Sequence, residues 1–171
     1  MATDEELILE FQRGSQAAFE ELFGRYREAI YGFFRRRLND ASRAEDLAQE
    51  TFVAVLHNRE RYEPRSLVRT YLYGIALKQL AAERRQITRR AAEPAGETLT
   101  SSDPDAALCV RQALEKLDFD FREIVMLREY EELSYAEIAL LVRIPVNTVR
   151  SRLFRARMEL KNLLVAERKP H

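Results

Sequence analysis

Residues 133–160 read LSYAEIALLVRIPVNTVRSRLFRARMEL, and the architecture of the chain is decided in this stretch. In its first half Tyr135, Ile138, Ala139 and Val142 recur at helical spacing. Ser134 followed by Glu137 forms a capping box at the start of that helix. Arg143-Ile144-Pro145 then interrupts the pattern, because proline cannot continue a helix but is tolerated where one begins. In the second half Val149, Leu153, Ala156 and Leu160 line one face, at steps of four, three and four. The opposite face carries Asn147, Thr148, Ser151, Phe154 and Arg155, with Arg150 and Arg152 on its flanks. Two short helices joined by a tight turn, the second basic on its outer face, predict a DNA-binding helix-turn-helix.

Charge supports that reading over a helical hairpin with a solvated basic face. From Arg143 to Lys161 the bases are Arg143, Arg150, Arg152, Arg155, Arg157 and Lys161, against the single acid Glu159. Phe154 lies five positions after Val149, so at 100° per residue it points roughly 140° away from the apolar stripe. Two placements follow: an exposed ring able to pack on a thymine methyl, or a ring buried in the core of the C-terminal half. Arg155 has the fork that suits guanine, and Arg150 on the flank suits a phosphate.

The run EIALLVRIPVNTVRSRLFRARMEL resembles the C-terminal promoter-binding module of extracytoplasmic-function (ECF) sigma factors of bacterial RNA polymerase, with TVRSRLFRAR its most specific part. The resemblance implies contact with the −35 promoter element through Asn147, Thr148, Arg150, Ser151, Phe154 and Arg155. Asn147 stands where a glycine often precedes the Thr-Val pair, and Arg143 stands where the turn usually has one. A left-handed backbone at Arg143 would cost roughly 1 kcal/mol or more.

Working outward, 171 residues with 46% hydrophobic and 33% charged content fit one domain or two small ones. Five glycines and five prolines indicate an all-α chain. The formal net charge is zero, so nucleic-acid binding has to be argued from clustering. Cys109 is the only cysteine, which excludes an intramolecular disulfide, and it reads as a buried small apolar residue. His57 and His171 have no metal-ligand spacing. No metal and no cofactor are expected. No glycine-rich phosphate loop or nucleophile motif appears, so an enzyme is not expected either. The acidic start, Asp4-Glu5-Glu6, is unlike a signal peptide, and no run approaches the roughly 20 apolar residues of a membrane helix, so no membrane insertion and a cytoplasmic location are expected.

From the N-terminus, Thr3 with Glu6 forms a capping box before Leu7, Ile8 and Phe11, and Gly14 ends this helix. Ser15 caps the next, whose stripe is Phe19, Leu22, Phe23, Tyr26, Ile30, Phe33 and Phe34. Ser42 with Glu45 predicts a further capping box, for a helix with Leu47, Phe52, Val55 and Leu56 facing a core. Glu45, Asp46, Gln49 and Glu50 form a polar strip on it. On physics alone a solvated face is the simplest account. The segment DLAQETF, however, resembles the family's helix that docks on the β′ coiled coil of polymerase, which assigns core binding to Asp46, Gln49 and Glu50.

Ser66 is expected to cap a fourth helix with Val68, Leu72, Ile75, Gln79 and Leu80. From Arg59 to Arg90 nine bases face three acids, with Tyr62, Tyr71 and Tyr73 interleaved. Cations with aromatics suit single-stranded DNA, and a tyrosine core stripe under a basic surface fits equally well. SLVRTYLYGIA resembles the family's promoter-melting segment, which implies −10 contacts by Arg61, Tyr62, Arg65, Arg69, Tyr71 and Lys78. Tyr71 stands for the usual tryptophan, Lys78 for asparagine and Val68 for a common phenylalanine.

Ile87 to Pro104 lacks an apolar period and carries prolines, a glycine and a Ser/Thr cluster, which reads as a flexible linker. Two small helical domains are therefore expected, 1–90 and 107–171, joined by a linker at 91–106. Ala106 to Leu117 presents Leu108, Ala113, Leu114 and Leu117, and FREIVMLREY adds Ile124, Val125 and Leu127. The resemblance covers nearly the whole chain outside the linker. It implies a sigma factor partnered by core RNA polymerase (β′ coiled coil and β subunit), promoter DNA and an anti-sigma factor. The alternative is a stand-alone helix-turn-helix regulator acting without polymerase, although no dimerisation seam for a two-fold operator is visible.

Overall fold

The computed structural model describes residues 1–91 and 105–167. These form α1 (Asp4–Gln12), α2 (Gln16–Arg37), α3 (Ala41–His57), a 3-10 turn (Arg59–Arg61), α4 (Val68–Arg90), α5 (Asp105–Lys116), α6 (Phe119–Glu129), α7 (Tyr135–Val142) and α8 (Val146–Glu167). No strand occurs among the described residues. The chain divides into two units, Met1–Glu97 and Thr98–His171. Ile87 to Arg90, read from sequence as linker, continue α4, and Asp105 and Ala106 already belong to α5. Ala91 caps the end of α4, and residues 92–104 of the expected linker lie outside the described residues.

In unit 1 the helices pack in sequence, α1 on α2, α2 on α3 and α3 on α4. Thr3 and Glu6 form the predicted capping box, with both backbone N–H groups satisfied at 2.8 and 3.1 Å. Gly14 has φ of +106°, a conformation that only glycine adopts without strain. Ser15 caps α2 through Ala18 N–H. Ile30, Phe33 and Phe34 are fully enclosed, Phe33 lying edge-on to Phe34 and tilted against Tyr73. Thr51 Oγ1 donates to Gln79 Oε1 at 2.7 Å, a polar tie between α3 and α4 inside this core.

Three sequence expectations in unit 1 are corrected. Asp40 rather than Ser42 caps α3, its carboxylate accepting from Arg43 N–H at 3.1 Å, so the helix begins two residues earlier than the capping-box spacing suggests. Ser66 does not cap α4; Leu67 occupies that position without a side-chain bond, and Val68 N–H donates instead to Glu5 Oε1 of α1 at 3.2 Å. Leu56 is 42% exposed, because the core face of α3 is completed by Leu47, Ala48, Thr51, Phe52 and Val55.

In unit 2, α8 packs against α5, α6 and α7. Residues 123–127 of α6 are all buried, so this helix is enclosed on every side there. Ala113, Leu114, Leu117, Ile138, Val149, Leu153 and Ala156 complete the core. Ser134 and Glu137 form the predicted capping box, at 2.6 and 3.1 Å. Arg143 is left-handed, φ 58° and ψ 47°, as the missing turn glycine implies. Pro145 O accepts from Thr148 N and Val149 N and starts α8. Leu108 is exposed, and Cys109 is only half-buried, against the expectation of a buried residue. They lie near the start of α5, while the residues of that helix that reach the core, Ala113 and Leu114, sit further along it.

Candidate nucleic-acid interface

The outer face of α8 follows from its helical register. Val149, Leu153 and Ala156 are buried essentially completely. The opposite side therefore faces solvent: Asn147, Arg150, Ser151 and Arg155 are exposed and Thr148 is half-buried. Phe154 is 66% exposed, which settles its two possible placements in favour of the surface. Arg150 Nη1 donates to Asn147 Oδ1 at 3.2 Å, and Ser151 Oγ donates to Thr148 O at 3.2 Å. The flanking cations are partly engaged, Arg152 lying 3.9 Å from Asp120 and Arg157 bonding Glu129 at 2.5 Å. Glu129 holds the Arg157 guanidinium protonated even above its usual range. The array is a phenylalanine ring among two cations and short polar groups, on one face of a rigid helix. It can place forked donors and an apolar surface against base edges together.

Residues 58–67, between α3 and α4, are built differently. Arg59–Arg61 form one 3-10 turn, closed by Arg61 N–H on Asn58 O at 2.8 Å. Tyr62 is only 3% exposed, which corrects its expected place as a surface aromatic. Its hydroxyl donates to Ser66 O at 2.6 Å, and its ring meets Tyr71 edge-on at 5.3 Å between centroids. Burial pushes both phenols up, with Glu5 adding to the effect at Tyr62 and Arg61 opposing it at Tyr71. Tyr73 is also buried, so the tyrosines include the core stripe that composition alone left open. The exposed tip of the segment is Arg61, Glu63, Pro64, Arg65 and Leu67. On α4, Tyr71 and Arg69 are half-buried and Lys78 is exposed. Lys78, Arg85 and Arg89 follow Tyr71 at steps of seven, seven and four, which places all four along one face.

The polar strip of α3 is at the surface: Glu45, Asp46, Gln49 and Glu50 are all exposed. Sequence reasoning missed Arg43. Its guanidinium binds the buried Glu83 through two bonds, 2.9 and 2.8 Å, and reaches Glu50 at 3.3 Å and Asp46 at 4.0 Å. The bonds from Arg43 hold Glu83 below the usual glutamate range, and Glu83 in turn raises Arg43. The spacing of Arg43, Asp46 and Glu50 could have signalled the surface pairs, whereas Glu83 is forty residues distant and leaves no local signal. Gln49 also lines a cavity of about 360 Å³ between α2 and α3, floored by Phe23, Tyr31 and Phe52. Among the described residues no cluster of His, Cys, Asp or Glu could hold a metal ion, and no helix is long and apolar enough to cross a membrane.

Comparison with known proteins agrees with this geometry. Residues 22–90 match the family model for Sigma-70 region 2, and residues 107–160 match that for Sigma-70, region 4. The chain is 32% identical over 176 residues to the RNA polymerase sigma-H factor of Pseudomonas aeruginosa, with 90% of each protein covered. It is 30% identical over 182 residues to the ECF RNA polymerase sigma-E factor of Haemophilus influenzae, with 94% of each covered. Among solved structures it is similar to CnrH in complex with the cytosolic domain of CnrY, with a TM-score of 0.74, 27% identity, and coverage of 95% of this chain and 97% of that one. The chain thus belongs to the extracytoplasmic-function sigma factors, promoter-specificity subunits that direct transcription initiation by bacterial RNA polymerase. Matches to both regions favour this over a stand-alone helix-turn-helix regulator.

Proposed function

We propose that the two units divide the work of a dissociable sigma subunit. Unit 1 docks on core polymerase through Asp46, Gln49 and Glu50, whose carboxylates and amide suit arginines and backbone groups of the β′ coiled coil. Arg61, Arg65, Arg69, Tyr71 and Lys78 face the opened −10 strand, while Tyr62 serves as the scaffold of that loop. Unit 2 lays α8 in the major groove of the −35 element, with Phe154 and Arg155 reading bases, Arg150 gripping phosphate, and Asn147, Thr148 and Ser151 at the groove-facing end. The β subunit contributes further core contacts. CnrH is solved with a protein partner, the cytosolic domain of CnrY, and a protein partner, an anti-sigma factor, would bind this chain in turn. The protein acts in the cytoplasm and catalyses no reaction itself.

One observation carries this reading: a phenylalanine two-thirds exposed beside the exposed Arg150 and Arg155, on the side of the helix turned away from a fully buried stripe. Solubility does not select such a residue, and a thymine methyl accounts for it. Run-off transcription with purified core polymerase tests the proposal. Addition of the protein should produce promoter-dependent transcripts, and Asp46→Ala with Gln49→Ala should abolish them by weakening core binding at an unchanged melting temperature. Duplex binding without any stimulation of core would return the stand-alone regulator.

A further inference from the structure

The segment between α3 and α4 has little to hold it from within. Its internal bonds are Arg61 N–H to Asn58 O, Ser66 N–H to Glu63 O at 3.4 Å, and the Tyr62 hydroxyl to Ser66 O. Tyr71 of α4 packs against the Tyr62 ring, and the remaining hydrogen bonds to the segment and to the start of α4 come from α1, some fifty to sixty residues earlier in the chain. Gln12 Nε2 donates to Arg59 O at 2.8 Å and to Tyr62 O at 2.9 Å, so one amide nitrogen clamps both ends of the 3-10 turn. Glu5 takes over the cap that Ser66 leaves empty, satisfying the first N–H of α4 and placing a negative charge at the positive end of that helix.

α1 is itself anchored. Leu7, Ile8 and Phe11 are buried, Arg25 bonds Asp4 at 2.7 Å and Ala2 O at 2.9 Å, and Tyr26 donates to Asp4. The rigidity of α2 is thereby passed through α1 to the loop. A loop with few bonds of its own would otherwise have to lose its conformational freedom at the moment the strand is captured.

We infer that Gln12 and Glu5 are positioning residues for promoter opening, pre-setting the backbone from Arg59 to Val68 so that Arg61 and Arg65 meet the DNA strand already ordered. The inference rests on the reading of residues 58–67 as the strand-opening loop. Neither residue touches DNA in it. Both act through backbone groups of the loop, so their removal should slow isomerisation to the open complex without weakening the closed one.

The test uses full-length protein assembled with core polymerase on a promoter that it transcribes. For Gln12→Ala, amide hydrogen exchange across residues 59–68 of the free protein should rise about fivefold, the equivalent of one net hydrogen bond. The isomerisation rate, followed by permanganate-reactive thymines, should fall by a similar factor, with closed-complex and core affinities within about twofold of wild type. Glu5→Gln, which keeps an acceptor at α4, should stay near wild type where Glu5→Ala does not. Normal exchange and opening in Gln12→Ala, alongside defective Arg61→Ala and Arg65→Ala, would overturn the positioning role and leave the loop reading standing. Normal opening in Arg61→Ala and Arg65→Ala would remove the loop reading and this inference with it. Equal losses of core binding, closed-complex affinity and opening in Gln12→Ala would reduce Gln12 to general support of the fold and overturn the inference too.

Discussion

The α8 face and the 58–67 segment both present arginines to solvent, by opposite means. On α8 the backbone is regular and its hydrogen bonds are local, so a periodic sequence dictates which side chains point outward. Val149 and Leu153 are buried, and Phe154 follows on the outside. In the 58–67 segment no period operates. Arg61 is exposed and Tyr62 is enclosed because Gln12, Glu5, Tyr71 and Ser66 hold the chain in that path. The fold of the helical face therefore tolerates change at any single outward position, whereas the path of the loop depends on residues that lie outside it in α1 and α4.

The sharpest way to break this contrast is at two adjacent residues of α8. Leu153→Ala should cost unit 2 about 2–5 kcal/mol, because the side chain is fully enclosed. Phe154→Ala should shift stability by less than about 0.5 kcal/mol and yet lose −35 recognition. Thermal unfolding with promoter binding separates them, and a large destabilisation by Phe154→Ala would end the helical-face argument.

Arg43→Ala asks whether unit 1 depends equally on one distant pair. It strips a buried glutamate of its partner, and about 2–3 kcal/mol is expected, below the roughly 3–5 of a fully buried pair because Arg43 is itself a third exposed. The pH dependence has a definite sign. Glu83 titrates below the usual glutamate range when folded, so its contribution is complete above that range and is lost as pH falls through it toward the folded value. The gap in denaturation midpoint between wild type and Arg43→Ala should narrow on acidification. A gap that is flat from neutral pH to below the usual glutamate range would show that the pair does not stabilise unit 1.

Arg155→Ala should weaken binding to the preferred −35 sequence by about 1–3 kcal/mol and flatten discrimination at one position. Arg150→Ala should weaken all sequences alike and lower the salt slope by about one. Competition binding at two salt concentrations distinguishes a base reader from a phosphate grip. Smallest and opposite in sign, Arg143→Gly should raise the melting temperature of unit 2 by relieving a left-handed arginine, a gain of about 0.5–1 kcal/mol.

Much of this was legible in the sequence, and particular residues show why. Thr3-Glu6, Ser15 and Ser134-Glu137 cap their helices as the spacing indicates, since a cap is a bond between residues two or three apart. The break before Pro145 and the apolar stripe of α8 were legible as well, each a consequence of backbone geometry within a few residues, whereas the left-handed turn at Arg143 was implied by the family resemblance and the exposure of Phe154 was decided only by the structure. Asp40 displaced Ser42 because two good capping residues stood close together, and local preference could not choose between them. Tyr62, Glu83 and the start of α4 were beyond any local reading. Tyr62 and Tyr71 look alike in composition, yet only the packing of α1 against the loop and α4 decides which one is enclosed. Glu83 became a buried anion because α3 brings Arg43 to it across forty residues. Capping, periodicity and charge clustering are short-range and survive in the linear order of residues. Burial, the pKa of Glu83 and the support of the loop by Gln12 and Glu5 exist only once helices distant in sequence have packed.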